Sequence, residues 1–335
     1  MEQYKPTYID LTNWNKKMYS STGGTRSKNI YVNPLDFKEY FFKGSKKLED
    51  GSFKYTSEFW SEIAASKIGQ WLGFNVLDYN IGFDLYDEQQ IGCLSKSMID
   101  YSENLLSEGI AYLSGYDPKY NPDTDESKYT FNFIQEALAS FTLSHHKEKF
   151  VKMLIFDSII GNSDRHQENW GFITKFKETI VEIENEIISK NFYGKIYSKF
   201  KKSITQSLSK QTNQINQYNN ANLLRTSSLL ALTEFSAIYD SGCCLGRELL
   251  DDKIELYLTD KQAINSYILR GKSEVRWVEG AKPKHFELLE KLYTCFPNVF
   301  QEVVKLISTE FTEEKLEILI TNIDNNLPSE YQKLK

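Results

Sequence analysis

Apolar residues change their spacing about a third of the way along this chain. Between residues 9 and 99 they fall in short β-branched or aromatic runs, at 30–32, Glu39–Lys43, 77–83 and 91–98. Turn residues such as Asn33-Pro34 and Asp50-Gly51 part them. One helix interrupts these strands. Trp60, Ile63, Ala64, Ile68 and Trp71 recur at helical spacing, Thr56 or Ser57 can cap the start, and Gly73 stops it. From Tyr129 onward helical spacing takes over, through 131–143, Lys147–Ile160 and a block from Lys284 to the C-terminus. Residues 116–128, rich in Asp, Pro and Ser, read as an exposed loop. The expectation is an α+β chain of two lobes. A β-rich lobe with one helix spans 1–103, and a larger helical lobe spans 104–335. With 335 residues, 40% of them hydrophobic, the chain has material for a large core.

Residues 175–226 break the helical pattern. A charged helical stretch at 178–190 passes into a basic one at 195–210, then into a Gln/Asn-rich tract at 211–222. Few large apolar residues occur in that last tract, so the whole reads as an insertion, partly helical and poorly anchored. The net charge of −6, from 40 Lys+Arg against 46 Asp+Glu, argues against a chain built to neutralise nucleic-acid phosphates. The basic stretch therefore reads as a solvated helix face. There is no uncharged apolar run of about 20 residues, so no membrane span is expected. Residues 1–15 are polar and interrupted by charge, unlike a signal peptide. Cys93, Cys243, Cys244 and Cys295 have neither C-x-x-C nor zinc spacing and read as reduced thiols. These features together predict a cytoplasmic protein, without ruling on export as an effector.

The richest motif is Gly161-Asn162-Ser163-Asp164-Arg165-His166-Gln167-Glu168-Asn169-Trp170-Gly171, which follows an apolar helix. Phosphoryl transfer needs a carboxylate to orient the attacking hydroxyl and an oxygen ligand to hold Mg²⁺ against the phosphates. Asp164 and Asn169 supply both from one loop; taken alone, the pair reads rather as a turn that caps a helix, and the surrounding string shifts it towards chemistry. Further on, Ala237-Ile238-Tyr239-Asp240-Ser241-Gly242 delivers an aspartate after an apolar run, the layout of a second Mg²⁺ ligand. Upstream, the turn at 20–28 carries Gly23, Gly24 and Lys28 ahead of a strand. Glycines there let backbone N–H groups approach phosphate, although the Walker A spacing is absent. Lys43 ends an aromatic strand, and Glu58 and Glu62 lie off the apolar stripe of the next helix. His145-His146 has no third ligand and reads as a solvated pair. Gly-rich turn, Lys, Glu, Asp/Asn loop and Asp-x-Gly is the order in which a kinase arranges its parts.

The segments Phe41-Phe42-Lys43, Ser61-Glu62-Ile63-Ala64, 161–171 and Tyr239-Asp240-Ser241-Gly242 resemble the HipA-like serine/threonine kinases, most of all their short stand-alone members. The resemblance runs from about residue 20 to 296. It implies a two-lobed protein-kinase-like fold, and an ATP- and Mg²⁺-dependent kinase that modifies protein Ser/Thr and itself, with a toxin or effector role. Residue by residue, it implies that Lys43 binds phosphate, Glu62 positions Lys43, Asp164 is catalytic, and Asn169 and Asp240 hold Mg²⁺. His166, inside the loop and counted with Asp164 and Asn169 among the catalytic candidates, reads from its position as orienting Asp164 or its backbone rather than as transferring a proton itself. The strand at 95–99, with Ser95, Lys96 and Met98, would face adenine. Ser20, Ser21, Thr22 and Thr25 on the Gly-rich turn become candidate self-phosphorylation sites. Longer members carry an extra N-terminal subdomain that helps bind a DNA-binding antitoxin. That subdomain is not expected here, and the gap between Asn169 and Asp240 is longer than in the family. An antitoxin partner remains an expectation of the resemblance alone. The competing readings are a small-molecule phosphotransferase, a lipid kinase, and a catalytically inactive pseudokinase or binding module.

Overall fold

The structure is a computed structural model that describes residues 1–17, 28–51, 53–100, 103–175, 233–325, 327 and 329. The glycine-rich turn with Gly23 and Gly24, its hydroxyls Ser20, Ser21, Thr22 and Thr25, and nearly all of the 175–226 insertion lie outside the described residues. Among the described residues, no helix is long and apolar enough to cross a membrane.

The first lobe contains β1 (Tyr8–Asp10), β2 (Asn15–Lys16), β3 (Lys28–Val32), β4 (Glu39–Lys43), a short ribbon of β5 (Lys46–Lys47) and β6 (Phe53–Lys54), then β7 (Tyr79–Phe83) and β8 (Ile91–Lys96). Six of these strands form a curled sheet in the order β1-β7-β8-β4-β3-β2. Only the β1–β7 pair is parallel; its neighbours run antiparallel. The alternation of the aromatic strand shows in what it buries. Tyr31 and Phe42 meet edge to face at 5.9 Å and join Leu11 and Leu94 in a small cluster. The register also sets Lys43 directly opposite Lys28 on one side and Cys93 on the other.

Helix α1 (Glu58–Trp71) is buried along its whole length except at Gln70. Its aromatic and aliphatic positions continue into the main core, where Phe74, just past the helix, packs on Phe156 of the second lobe at 4.9 Å. Gly73 ends the helix at φ +75°, a left-handed stop, as its sequence suggests. Ser57 holds the N-cap position but makes no capping bond; its Oγ donates instead to the Arg247 carbonyl at 3.3 Å.

The second lobe opens with β9 (Asn104–Glu108) and α2 (Gly109–Tyr116), followed by α3 (Phe131–Ser140) and α4 (Lys147–Ile160). Strands β10 (Gly171–Lys175) and β11 (Thr233–Phe235) join β9 in an antiparallel sheet ordered β11-β10-β9. Among the described residues five further helices follow: α5 (Asp251–Thr259), α6 (Lys261–Leu269), α7 (His285–Cys295), α8 (Pro297–Glu310) and α9 (Glu313–Asn322). Tyr112, Phe150, Trp170, Phe172 and Phe235 interlock edge to face under the small sheet. Several boundaries differ from expectation. Strand β7 begins at Tyr79 rather than 77, because Leu77 N–H bonds to the Ile238 carbonyl at 2.8 Å. The 91–98 run stops being a strand at Lys96, and the 131–143 helix stops at Ser140. His146 is buried rather than solvated, with Nε2 2.9 Å from the Thr233 carbonyl, because β11 covers it.

Candidate active site

Three segments converge where the lobes meet. The end of β4 carries Lys43 into the interior, 6% exposed. Its Nζ lies 3.1 Å from Glu62 Oε2 of α1, and it also contacts Asp240 Oδ1. Glu62 is 1% exposed, and its second oxygen accepts the Ser241 N–H at 2.7 Å. One carboxylate thus ties the strand lysine to the backbone after Asp240. Gly242 is required for this approach: a Cβ there would come within 2.8 Å of Glu62 Oε2 and 3.3 Å of the Glu58 carbonyl oxygen.

Asp240 has φ +54°, in the left-handed region that costs a non-glycine residue energy. Its carboxylate receives Lys43 on one oxygen and Lys28 on the other, at 3.7 Å. Two lysines placed face to face across a sheet repel each other, so they need anions between them. Asp240 and Glu62 supply part of that counter-charge.

The loop after α4 is held from behind by Arg165. Gly161, at φ +67°, ends α4 and lets the chain turn back over its last turn. Arg165, 1% exposed, donates Nε to both Asp157 oxygens at 3.2 and 3.0 Å, and Nη2 to Asp157 Oδ1 at 2.7 Å. The same guanidinium reaches the Asn169 carbonyl at 2.7 Å, the Tyr239 carbonyl at 2.5 Å and Ser241 Oγ at 2.9 Å. All the arms of the fork are engaged, and the Asp157 carboxylate raises an already high pKa further against the cost of burial.

On the open side of that loop stand Asp164 and Asn169. Asn169 Nδ2 donates to the Asp164 carbonyl at 2.7 Å, which fixes the amide so that Oδ1 is its acceptor atom. Asp164 Oδ2 accepts the Cys243 thiol at 3.2 Å. Burial, with Asp164 next, pushes the Cys243 thiol up to about 12, so it stays protonated and donates. Arg247 Nη2 donates to the same sulfur at 3.0 Å, while its Nε lies 3.6 Å from Glu58 Oε1 and its guanidinium stacks 4.0 Å from the Tyr55 ring centre.

The structure therefore gathers Lys28, Lys43, Glu62 and Asp240 in one cluster and Asp164 with Asn169 in the next. His166 contributes its carbonyl to the Asn169 N–H at 3.0 Å, while its ring Nδ1 accepts the Glu168 N–H at 3.3 Å and does not touch Asp164. Ser95 is buried in the sheet, opposite Phe41 and Tyr79. Lys96 points the other way, its Nζ 2.7 Å from Asp36 Oδ2, so it does not join the cluster. Met98 follows β8 in the connection between lobes, half-buried. Glu58, the other glutamate that the sequence places off the apolar stripe, meets Arg247, while Asp157, Arg165 as a hub, Arg247, Cys243 and Glu108 carry the site with no pattern in the sequence that marks them for it. Glu108, at the end of β9, is pushed up to about 7 by burial first and then by Glu168, with Lys28 opposing.

No family model and no curated protein matches the sequence. By structure the chain is similar to the crystal structure of a Helicobacter pylori proinflammatory kinase, CtkA. The TM-score is 0.65, and the match covers 96% of this chain and 89% of that one. The fold is kinase-like. Sequence identity across the match is 16%, so the likeness is one of fold, and the chemistry rests on the side chains just described.

The donor set fits a magnesium–nucleotide site. Asn169 Oδ1 and an Asp240 oxygen are hard oxygen ligands, and Mg²⁺ typically takes only one or two protein oxygens beside phosphates and water. Among the described residues no group of three His, Cys, Asp or Glu side chains could hold a metal without such help. Lys28 and Lys43, paired across the β3–β4 ladder, supply the positive charge that phosphate oxygens match.

Proposed function

We propose that this chain is an ATP-dependent phosphotransferase that places the γ-phosphoryl group on a protein serine or threonine hydroxyl. The observation that carries the reading is the convergence of Lys43, Glu62 and Asp240 beside Asp164 and Asn169. Five residues from four distant stretches of chain meet with the charges that phosphoryl transfer uses.

Each side chain has a task set by its surroundings. Lys43, held by Glu62, neutralises phosphate oxygens, and Lys28 adds a second ammonium beside it. Asn169 and Asp240 would hold Mg²⁺, which when bound offsets the negative charge of the phosphates. Asp164 accepts the hydrogen bond of the incoming hydroxyl, orients it and takes its proton as the new P–O bond forms and the Pγ–O bond to the β-phosphate breaks, releasing ADP. The protonated Cys243 donates to one Asp164 oxygen and so leaves the other for the hydroxyl. Arg165 fixes the loop carbonyls, which keeps Asp164 and Asn169 in register with Asp240. The proinflammatory kinase named above has this fold, which supports phosphoryl transfer as the reaction.

Incubation of the full chain with γ-labelled ATP and Mg²⁺, alone and with a cell lysate, tests the reading. Label on Ser or Thr of protein, absent with Asp240→Asn, is the expected outcome. Label appearing only on small molecules would replace the protein acceptor, and ATP left intact throughout would overturn the reading.

A further inference from the structure

Glu58 and Glu62 lie one turn apart on α1, and the chain after Asp240 meets both. Glu62 takes Lys43 and the Ser241 N–H. Glu58, also 1% exposed, has its Oε1 3.6 Å from both Cys243 Sγ and Arg247 Nε. Gly242 allows this approach, since a Cβ there would come within 3.2 Å of Glu58 Cγ. From the other side, the Ser163 N–H donates to the Cys243 carbonyl at 3.3 Å and seats Cys243 beside the Asp164 loop.

One thiol proton therefore has two carboxylates in reach. Cys243 Sγ is 3.2 Å from Asp164 Oδ2 and 3.6 Å from Glu58 Oε1. A thiol carries a single proton to donate, and burial keeps it on the sulfur here. Given to Glu58, that proton would be lost to Asp164, whose second oxygen would no longer be held.

Arg247 stands between the two outcomes. Its Nε sets a positive charge beside Glu58, which lowers that carboxylate's demand for a donor. Its Nη2 donates to the sulfur at 3.0 Å and so occupies a lone pair without taking the proton. The Tyr55 ring, 4.0 Å from the guanidinium carbon, fixes the plane of the fork, and Ser57 Oγ holds the Arg247 carbonyl at 3.3 Å.

We propose that Arg247 is a positioning residue for phosphoryl transfer: by engaging Glu58 and the Cys243 sulfur together, it leaves the thiol proton to Asp164. Arg247 acts through Cys243 and not on the acceptor itself. Helix α1 thereby governs both halves of the site, Lys43 through Glu62 and Asp164 through Glu58, Arg247 and Cys243. This role rests on the phosphotransferase reading, so its test has one arm that needs no catalysis.

In that arm the S–H stretching band of the full chain is recorded by infrared, and the difference from Cys243→Ala isolates this thiol. Asp164→Asn should move the band. Arg247→Gln should move it too, because Glu58 loses the cation beside it and competes for the proton. Adding Glu58→Gln to Arg247→Gln should bring the band back towards its parental position.

The second arm follows transfer from Mg-ATP. Arg247→Gln should lower kcat about ten- to hundredfold, with KM for ATP changed less than about threefold, since Lys43, Glu62 and Asp240 stay in place. Glu58→Gln in that background should restore most of the loss. With Cys243→Ala present, neither change should lower kcat further, whereas Cys243→Ser, which can both donate and accept, should keep most of the activity. Should Arg247→Gln not fold, the double variant decides alone, because it leaves no unbalanced charge buried there. A thiol band unmoved by Asp164→Asn, losses that multiply in the Cys243→Ala background, or a folded double variant still down by about tenfold or more would overturn the proposal. Band shifts as expected with no transfer in the parent would uphold the thiol geometry and count against the phosphotransferase reading instead.

Discussion

Two charged clusters face each other across the Asp164–Asn169 segment, and they are built differently. Behind it, Arg165 and Asp157 are sealed from water, and the guanidinium has a partner in every direction. In front, Lys28 and Lys43 stand opposite each other across a ladder and share Asp240, which sits in a left-handed backbone conformation at φ +54°. A satisfied buried network fixes geometry and asks for nothing more. Crowded like charges and a costly backbone angle are held in place by the surrounding fold and gain from a ligand. The difference separates what positions the chemistry from what performs it.

The rear cluster should dominate stability. Arg165→Leu leaves the Asp157 carboxylate buried without its partner and should lower unfolding free energy by about 3–5 kcal/mol, read from urea midpoints. Pairing it with Asp157→Leu should return more than half of the loss, since both charges are then gone. A loss below about 1 kcal/mol in the single variant would erase the contrast between the clusters.

The front cluster should dominate activity. Asp240→Asn keeps a side chain that tolerates the left-handed region, so the fold should stay within about 1 kcal/mol of the parent. Phosphoryl transfer should fall roughly 10³-fold, about 4 kcal/mol of transition-state stabilisation. A variant that unfolds instead would place Asp240 with the structural cluster.

Protons sharpen the comparison with a smaller effect. The Glu108 carboxyl, raised from 4.5 to about 7 chiefly by burial, belongs to the front side and feels Glu168 and Asp240. Between those two pH values the folded protein holds a proton there that the unfolded chain has released. Stability should therefore decline as pH rises from about 4.5 to 7 and level off above it, by on the order of 2 kcal/mol. Glu108→Gln should remove that decline, seen as urea midpoints measured from pH 5 to 8. Equal differences between parent and variant at both ends of the range would show that Glu108 is not buried as described.

Most residues of the candidate site were legible in the sequence because they fall in short runs with fixed order. Lys43 ends an aromatic strand, Glu62 lies on the next helix, and Asp164 and Asn169 share one loop. The residues that hold them were not legible. Asp157 reads as one polar position on an apolar helix, and only the left-handed turn at Gly161 brings Arg165 back onto it. Cys243 and Arg247 meet Asp164 and Glu58 through contacts that span about 80 and 190 positions, beyond any local pattern. Helices α5 and α6 bury none of their residues, so the i, i+4 spacings of Ile254 with Leu258 and of Ile264 with Ile268 point to no core. Lys96 shows the opposite error: strand alternation turns it away from Ser95 and out to Asp36.

The central claim is that Asp164 acts on the acceptor hydroxyl while Lys43 and Asp240 hold the nucleotide. Single-turnover transfer from Mg-ATP, measured alongside ATP affinity for the parent and Asp164→Asn, separates the two tasks. The account predicts a fall in transfer of about 10³-fold with ATP affinity changed less than about threefold. Transfer at the parental rate in a folded Asp164→Asn protein would contradict it.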